Sequence, residues 1–180
     1  HFLLEAKDLG YFVPPSMLDQ WTRYQQEAAR LWSTEAESYG FYHSGNQGLE
    51  QAYRLYTLAL AKAPDLAGMN RLRSYNSLNS AARWRLAAAY ALTGKTEIAQ
   101  ELLRSTDRNI EPYQELGATF GSSLRDQAMI LETLVLTSRF DEAYELLESI
   151  SGTLSSSRWL STQETAFSLL DPLGAIVGIR

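Results

Sequence analysis

The chain has 180 residues, 45% of them hydrophobic and 21% charged, with 16 Lys+Arg against 21 Asp+Glu, a net charge of -5 and no cysteine. That balance suits one folded domain of ordinary size and argues against general disorder. It lacks the basic footprint of a nucleic-acid binder, and it excludes disulfides, thiolate metal sites and a cysteine nucleophile within these residues.

The first residues, His1-Phe2-Leu3-Leu4-Glu5-Ala6, read as the interior of a helix, so the chain is expected to be a piece of something longer. That helix should close at Gly10, a C-cap candidate. Pro14-Pro15-Ser16 then stops extension and offers a new start. Leu18, Trp21, Tyr24, Ala28, Leu31 and Trp32 recur at helical spacing and predict a long amphipathic helix to about Thr34. Tyr39 to Gly48 reads as a loop. Leu49 to Ala63 is helical again, and Pro64 sits where the first turn of a short helix through Arg73 would tolerate it.

Ala81 to Leu92 is rich in strong helix formers. Thr93-Gly94-Lys95 makes a turn, after which Ile98, Ala99, Leu102 and Leu103 should face back. Ser105 to Gly121 is a longer connection, in which Tyr113-Gln114-Glu115-Leu116 is briefly extended. Leu124 to Leu136, a turn at Ser138-Arg139, and Asp141 to Ile150 form another hairpin. Ser151 to Ser157 reads as a serine-rich loop, and a last helix begins near Ser161, to be ended or kinked by Pro172. No apolar run approaches the roughly 20 residues a membrane-spanning helix needs. The alternating β-branched runs of a sheet are missing. The expectation is one all-α domain over residues 1–180, built of helical hairpins.

Three turns echo one another: Leu60 to Ala67, Leu92 to Ala99 and Leu136 to Ala143. Each is a helix end, a tight turn, an acidic residue against the positive end of the next helix, then an alanine expected to face inward. The alanines are 32 and then 44 residues apart, which departs from the near-34 period of a strict tetratricopeptide array.

Candidate chemistry is sparse. The histidines are His1 and His43, the latter in a loop without a partner at recognisable spacing, so no metal or catalytic site is assigned to them. Asp141, Glu142, Glu145 and Glu148 make an acidic stripe expected to be a solvated face. Glu132, embedded in Met129-Ile130-Leu131-Glu132-Thr133, is expected to be buried and paired, with Arg125 or Arg139 in reach. Arg71, Arg73, Arg83 and Arg85, the densest basic group, should decorate helix surfaces near a turn. Of Trp21, Trp32, Trp84 and Trp159, Trp21 and Trp84 fit apolar stripes and should anchor hairpin packing. Gly48-Leu49-Glu50-Gln51 differs by one residue from Cys-Leu-Glu-Gln, a thioester-forming sequence, and without the thiol it is chemically silent. No catalytic, cofactor-binding, metal or thioester residue is therefore assigned, and no cofactor is expected.

Four blocks, in order and spacing, resemble the bacterial α2-macroglobulin family in its thioester-type helical domain. They are His1-Phe2-Leu3-Leu4-Glu5-Ala6 with Gly10-Tyr11, Val13-Pro14 and Met17-Leu18; Ala87 to Lys95 with Ala99 and Leu102-Leu103; Phe120 to Leu134; and Trp159 to Ala166. The third is the most specific. The resemblance implies an α/α toroid of paired helices, of which this chain would hold the later part with the N-terminal part missing. It implies a large envelope or periplasmic parent that traps proteases after cleavage of a bait region. Where such a parent carries Cys-x-Glu-Gln, that sequence lies upstream of the block that opens this chain. The partners implied are the other domains of the parent and, through it, proteases, with no nucleic acid and no membrane insertion by this segment. By itself the piece would be no enzyme. Asp171-Pro172-Leu173-Gly174 departs from the family pattern, which continues as helix there. Two other readings stay open: a tetratricopeptide-like scaffold for protein–protein interaction, and an α/α-barrel enzyme acting on glycans through a carboxylate pair.

Overall fold

The computed structural model describes residues 1–33, 48–115 and 120–176, with side chains through Leu169. Among these residues there are nine helices and no strand longer than one bridge: α1 Phe2–Asp8, α2 Pro15–Leu31, α3 Leu49–Leu60, α4 Leu66–Arg73, α5 Ser80–Leu92, α6 Thr96–Leu103, α7 Ser123–Leu136, α8 Phe140–Leu154 and α9 Thr162–Ile176. The all-α expectation holds.

The helices form two layers. Helices α3, α5, α7 and α9 pack on one another in that order, while α4 rests on α3 and α5, α6 on α5, and α8 on α7 and α9; α2 lies against α3. Composition explains the division. Helix α5 buries residues on every side, among them Ala82, Trp84, Arg85, Leu86, Ala87, Ala88, Ala89 and Tyr90. Its run of alanines lets α3 and α7 approach closely. Helices α6 and α8 bury one stripe each, Ala99-Leu102-Leu103 and Ala143-Ile150, and turn the rest to solvent. Each fully buried leucine, such as Leu55, Leu58, Leu72, Leu86 and Leu134, contributes about 1.5–3 kcal/mol by leaving water.

The echo between turns has a backbone cause. Helices α1, α3, α5 and α7 each end on a residue in left-handed conformation: Gly10, Lys62, Gly94 and Ser138. At each, the next amide reaches back to the last turn: Tyr11 N to Ala6 O, Ala63 N to Leu58 O, Lys95 N to Tyr90 O and Arg139 N to Leu134 O, at 2.8–2.9 Å. A second bond, spanning fewer residues, runs from each left-handed residue's own amide, as from Gly94 N to Ala91 O at 3.0 Å. This pairing satisfies carbonyls that a helix end would otherwise orphan.

Several sequence expectations change here. Ala67 is exposed; the close approach falls one residue later, at buried Gly68, where a Cβ would lie 2.4 Å from Asp65 Oδ2 and 3.0 Å from Leu55 Cδ2. Pro64 lies outside α4, whose N-cap is Asp65, accepting from Gly68 N at 2.9 Å. Helix α8 runs on through Leu154 into the expected serine loop, since Ser and Thr fill exposed helix positions at little cost. Helix α9 likewise passes through Pro172 to Ile176. Proline's fixed φ is compatible with a helix, and the structure loses one backbone bond from position 172 there while α9 stays packed on α7. Gln114 pairs with Ser122 in an isolated antiparallel bridge, matching the brief extension expected there.

Candidate functional site

The row of helices converges on a buried polar centre. Glu132 enters from α7, Arg85 from α5, Tyr53 and Tyr56 from α3, and Phe167 from α9. Arg85 is fully buried and Glu132 nearly so. Arg85 Nη1 donates to Glu132 Oε2 at 2.5 Å, and the Tyr56 hydroxyl donates to Glu132 Oε1. The guanidinium carbon lies 4.2 Å from the Tyr56 ring centroid and 5.6 Å from that of Tyr53. Phe167 meets Tyr53 edge-on at 5.9 Å, so the first and last helices of the row touch. His1 packs against the same rings, its Nδ1 2.9 Å from the Tyr53 hydroxyl.

A low-dielectric interior makes such a group of charges all-or-nothing: paired it is tolerated, and with one member removed it is costly. Glu132 is buried and paired, as expected, but its cation is Arg85. Arg125 instead turns to its neighbour Asp126, at 2.8 Å, and Arg139 forks onto Glu142 with both bonds at 2.7 Å. Arg85 is therefore no surface residue. Its signal lay in Ala82-Arg83-Trp84-Arg85-Leu86-Ala87, where burial on all sides of α5 forces one arginine inward. The other three basic residues do sit toward the surface: Arg73 pairs with Glu101 at 3.0 Å, Arg71 donates to Ala29 O at 2.7 Å, and Arg83 donates to Leu78 O at 3.2 Å.

A second cluster pins the connection before α7. The Tyr113 hydroxyl donates to Asp126 Oδ2 at 2.6 Å and accepts from Arg125 Nη2 at 3.3 Å. Glu115 Oε2 accepts from Gly121 N at 3.0 Å, while Ser122 caps α7 through Arg125 N. Burial pushes the Asp126 carboxyl above its ordinary range, against the pull of Arg125 and the Tyr113 hydrogen bond. Burial, aided by the hydrogen bond to Asp126, pushes the Tyr113 phenol up as well. Beside this cluster lies a cleft of about 260 Å³, lined by Asn79, Ser80, Ala81, Ile110, Tyr113, Glu115 and Asp126. Neither Glu132 nor Arg85 lines it. Two carboxylates line it, and both are engaged: Asp126 accepts from Arg125 and Tyr113, and Glu115 from Gly121 N.

The remaining candidates are dispersed. Asp141, Glu145 and Glu148 are exposed as expected, and Glu142 is held by Arg139. Trp84 is buried, donates Nε1–H to Asp107 O at 3.0 Å and lies under the Arg139 guanidinium. Trp21 is half-buried and outside the core, whereas Trp32 packs against it, edge-on to Tyr75. Trp159 is exposed. His43 lies outside the described residues. Among those residues no group of three or more His, Asp and Glu side chains gathers where a metal could bind.

Two sequence blocks resolve into caps. In Trp159 to Ala166, Ser161 Oγ accepts from Glu164 N at 3.2 Å while Glu164 Oε2 accepts from Ser161 N at 2.8 Å, a reciprocal capping box. Arg158 adds an ion pair to buried Glu164 at 2.9 Å. Gly48, first of the thioester-like tetrad, has φ +81°, and a Cβ there would lie 2.2 Å from Leu78 Cδ2. Gln51 is buried, donating to Ala29 O at 3.1 Å and accepting from Arg54 Nη1 at 2.5 Å. The tetrad is a helix start.

A two-layer helical scaffold with a sealed ion-pair core is thus the class these features define. Its relatives are specific: the chain is 28% identical over 174 residues to α2-macroglobulin of Escherichia coli, matching 91% of this chain and 10% of that protein. The cryo-EM structure of native E. coli α2-macroglobulin superposes with a TM-score of 0.71 at 25% identity over 94% of this chain and 11% of that one. The crystal structure of the same E. coli protein from domain MG7 to the C-terminus does so with a TM-score of 0.66 at 24% identity, over 94% of this chain and 27% of that one. No family model matches. The resemblance read from the four blocks is therefore met in both sequence and fold, and the chain spans about a tenth of the length of this relative.

Proposed function

We propose that this chain is the later part of the α/α-toroid domain in a bacterial α2-macroglobulin-like, protease-trapping inhibitor of the periplasm or cell envelope. The observation that carries the reading is the near-complete match of this chain to a short stretch of E. coli α2-macroglobulin in both sequence and fold. In such a parent the segment is a scaffold. Any reactive thioester belongs elsewhere in the polypeptide, since these 180 residues hold no cysteine.

The alternatives find less support. A glycan-active barrel needs two available carboxylates in one cavity, yet Glu132 is sealed in packed core, and of the two that share the cleft Asp126 is bonded to Arg125 and Tyr113 and Glu115 to Gly121 N. An open tetratricopeptide superhelix is disfavoured by the contact between Tyr53 of α3 and Phe167 of α9.

The test uses the parent polypeptide. Incubated with a protease that cuts its bait region, it should sediment faster, and the captured protease should still cleave a small chromogenic substrate while losing activity on casein. Unchanged sedimentation with full activity on casein would overturn the reading, as would a parent without β-sandwich domains.

A further inference from the structure

Hairpins α5–α6 and α7–α8 are each closed by a tight left-handed turn, but they are joined to one another by the long connection through residues 104–122. That connection leaves open the height at which one hairpin stands against the other. Trp84 binds Asp107 O and Tyr113 binds Asp126, so each hairpin is tied to the connection, with residues 108–112 between the two ties. Apolar packing settles the height poorly as well. Six of the thirteen residues of α5 are alanine, and an alanine-rich face offers only low ridges to a neighbour that slides along it.

A slide of one turn, four residues at about 1.5 Å each, moves a helix by about 6 Å. It would carry Glu132 from Arg85 to Ala81 or Ala89, which lie four residues away on the same face of α5. It would carry Arg85 to Ala128 or Leu136 of α7. All four belong to or pack on the one apolar core, so hydrophobic contact finds similar partners at each height. The charges do not. At the observed height Arg85 Nη1 stands 2.5 Å from Glu132 Oε2, and the Tyr56 hydroxyl completes the carboxylate. At either other height both ions would be stranded among apolar side chains, where a charge without its partner is most costly.

We propose that the Arg85–Glu132 pair is a register lock, selecting the height at which the α7–α8 hairpin docks on α5–α6. Tyr56 extends that choice to α3. The pair serves the uniqueness of the packing more than its strength, which is the use a buried ion pair fills best.

The chain has no cysteine, so spin labels can be placed through Thr96→Cys on α6 and Gly152→Cys on α8, exposed positions toward opposite ends of the two hairpins. Pulsed electron resonance on the otherwise unchanged chain should read one narrow distance. The triple variant Tyr56→Phe/Arg85→Met/Glu132→Leu removes the charges and the hydroxyl together. Its melting midpoint should stay within a few degrees of the unchanged chain's, while a second distance appears, displaced by up to about 6 Å. Moving the cation by one turn, in Arg85→Ala/Ala89→Arg, should make a displaced distance the major one. A single unshifted distance in the folded triple variant overturns the proposal. So does a triple variant that no longer folds, which would make the pair a support and not a selector. An unshifted distance, or loss of folding, with arginine at position 89 overturns it too, as does a broad distribution in the unchanged chain.

Discussion

Removing one half of the Arg85–Glu132 pair should be among the most damaging single changes available to this chain. In Glu132→Leu the Arg85 guanidinium, fully buried, loses its carboxylate, and the Tyr56 hydroxyl loses its acceptor. Arg85→Met strands the carboxylate in turn. An uncompensated charge at such depth costs about 3–5 kcal/mol, and at about 2–4 °C per kcal/mol for a chain of this length the midpoint should fall by roughly 6–20 °C. The double variant Arg85→Met/Glu132→Leu removes both charges together, leaving mainly the orphaned Tyr56 hydroxyl at about 1–3 kcal/mol. It should therefore be no worse than either single change, giving a coupling energy of roughly 3 kcal/mol or more. Urea melts of the four proteins, with calorimetry as a second probe, measure this cycle. Additive losses, or a Glu132→Leu change costing under about 0.5 kcal/mol, the scale of an ordinary surface substitution, would refute the argument that these charges are sealed and mutually dependent.

Four further outcomes are expected. Lys62→Gly and Ser138→Gly should each stabilise by about 0.5–1 kcal/mol, because an L side chain is strained in left-handed conformation, while Gly94→Ala should lose about 1 kcal/mol at the equivalent position; chemical denaturation reads all three. Ser161→Ala should cost about 1–2 kcal/mol by undoing the cap of α9, with hydrogen exchange rising first in its opening turn. Because the folded state binds the Asp126 proton more tightly than the unfolded chain does, this group favours folding below its unfolded pKa of about 3.9, and that favour is lost as pH rises through the raised folded value. Asp126→Asn should therefore flatten the decline in stability above about pH 4, and an unchanged slope in melts from acid to neutral pH would show that burial does not govern Asp126. Finally, Gly48→Cys should yield a titratable thiol and no methylamine-sensitive linkage to Gln51, as read by intact mass, together with a lowered melting point.

How much of this was legible beforehand depends on what sets each feature. Helix positions at α5, α6 and α7 followed from periodicity and from turn residues that interact over one or two turns, which a sequence displays directly. The overrun of α9 through Pro172 goes with its tertiary packing on α7, which local propensity does not record, whereas that of α8 through Leu154 uses exposed Ser and Thr positions that a helix tolerates. The same distinction separates Glu132 from its partner. Its burial could be read from the apolar residues on either side, but the choice of Arg85 over Arg125 or Arg139 depends on α5 lying across α7, a long-range fact. Gly68 displaced Ala67 as the close-approach residue because the helix starts after its Asp65 cap and not at Pro64.

The four left-handed turns also divide the molecule into unlike ends. At one end α3, α5 and α7 reverse direction through the stereotyped hydrogen-bond pattern that α1 shares, and any inserted residue would break the bond that reaches back into the helix. At the opposite end the chain crosses from α4 to α5, from α6 to α7 and from α8 to α9 through connections of unequal length, the longest of them carrying the Tyr113–Asp126 clasp and bordering the cleft. Lineages of this scaffold can therefore lengthen, shorten and decorate that second end without retuning the helices. The drift between 32 and 44 residues is then a record of where the architecture admits change: one rim is cast, and the other is open to editing.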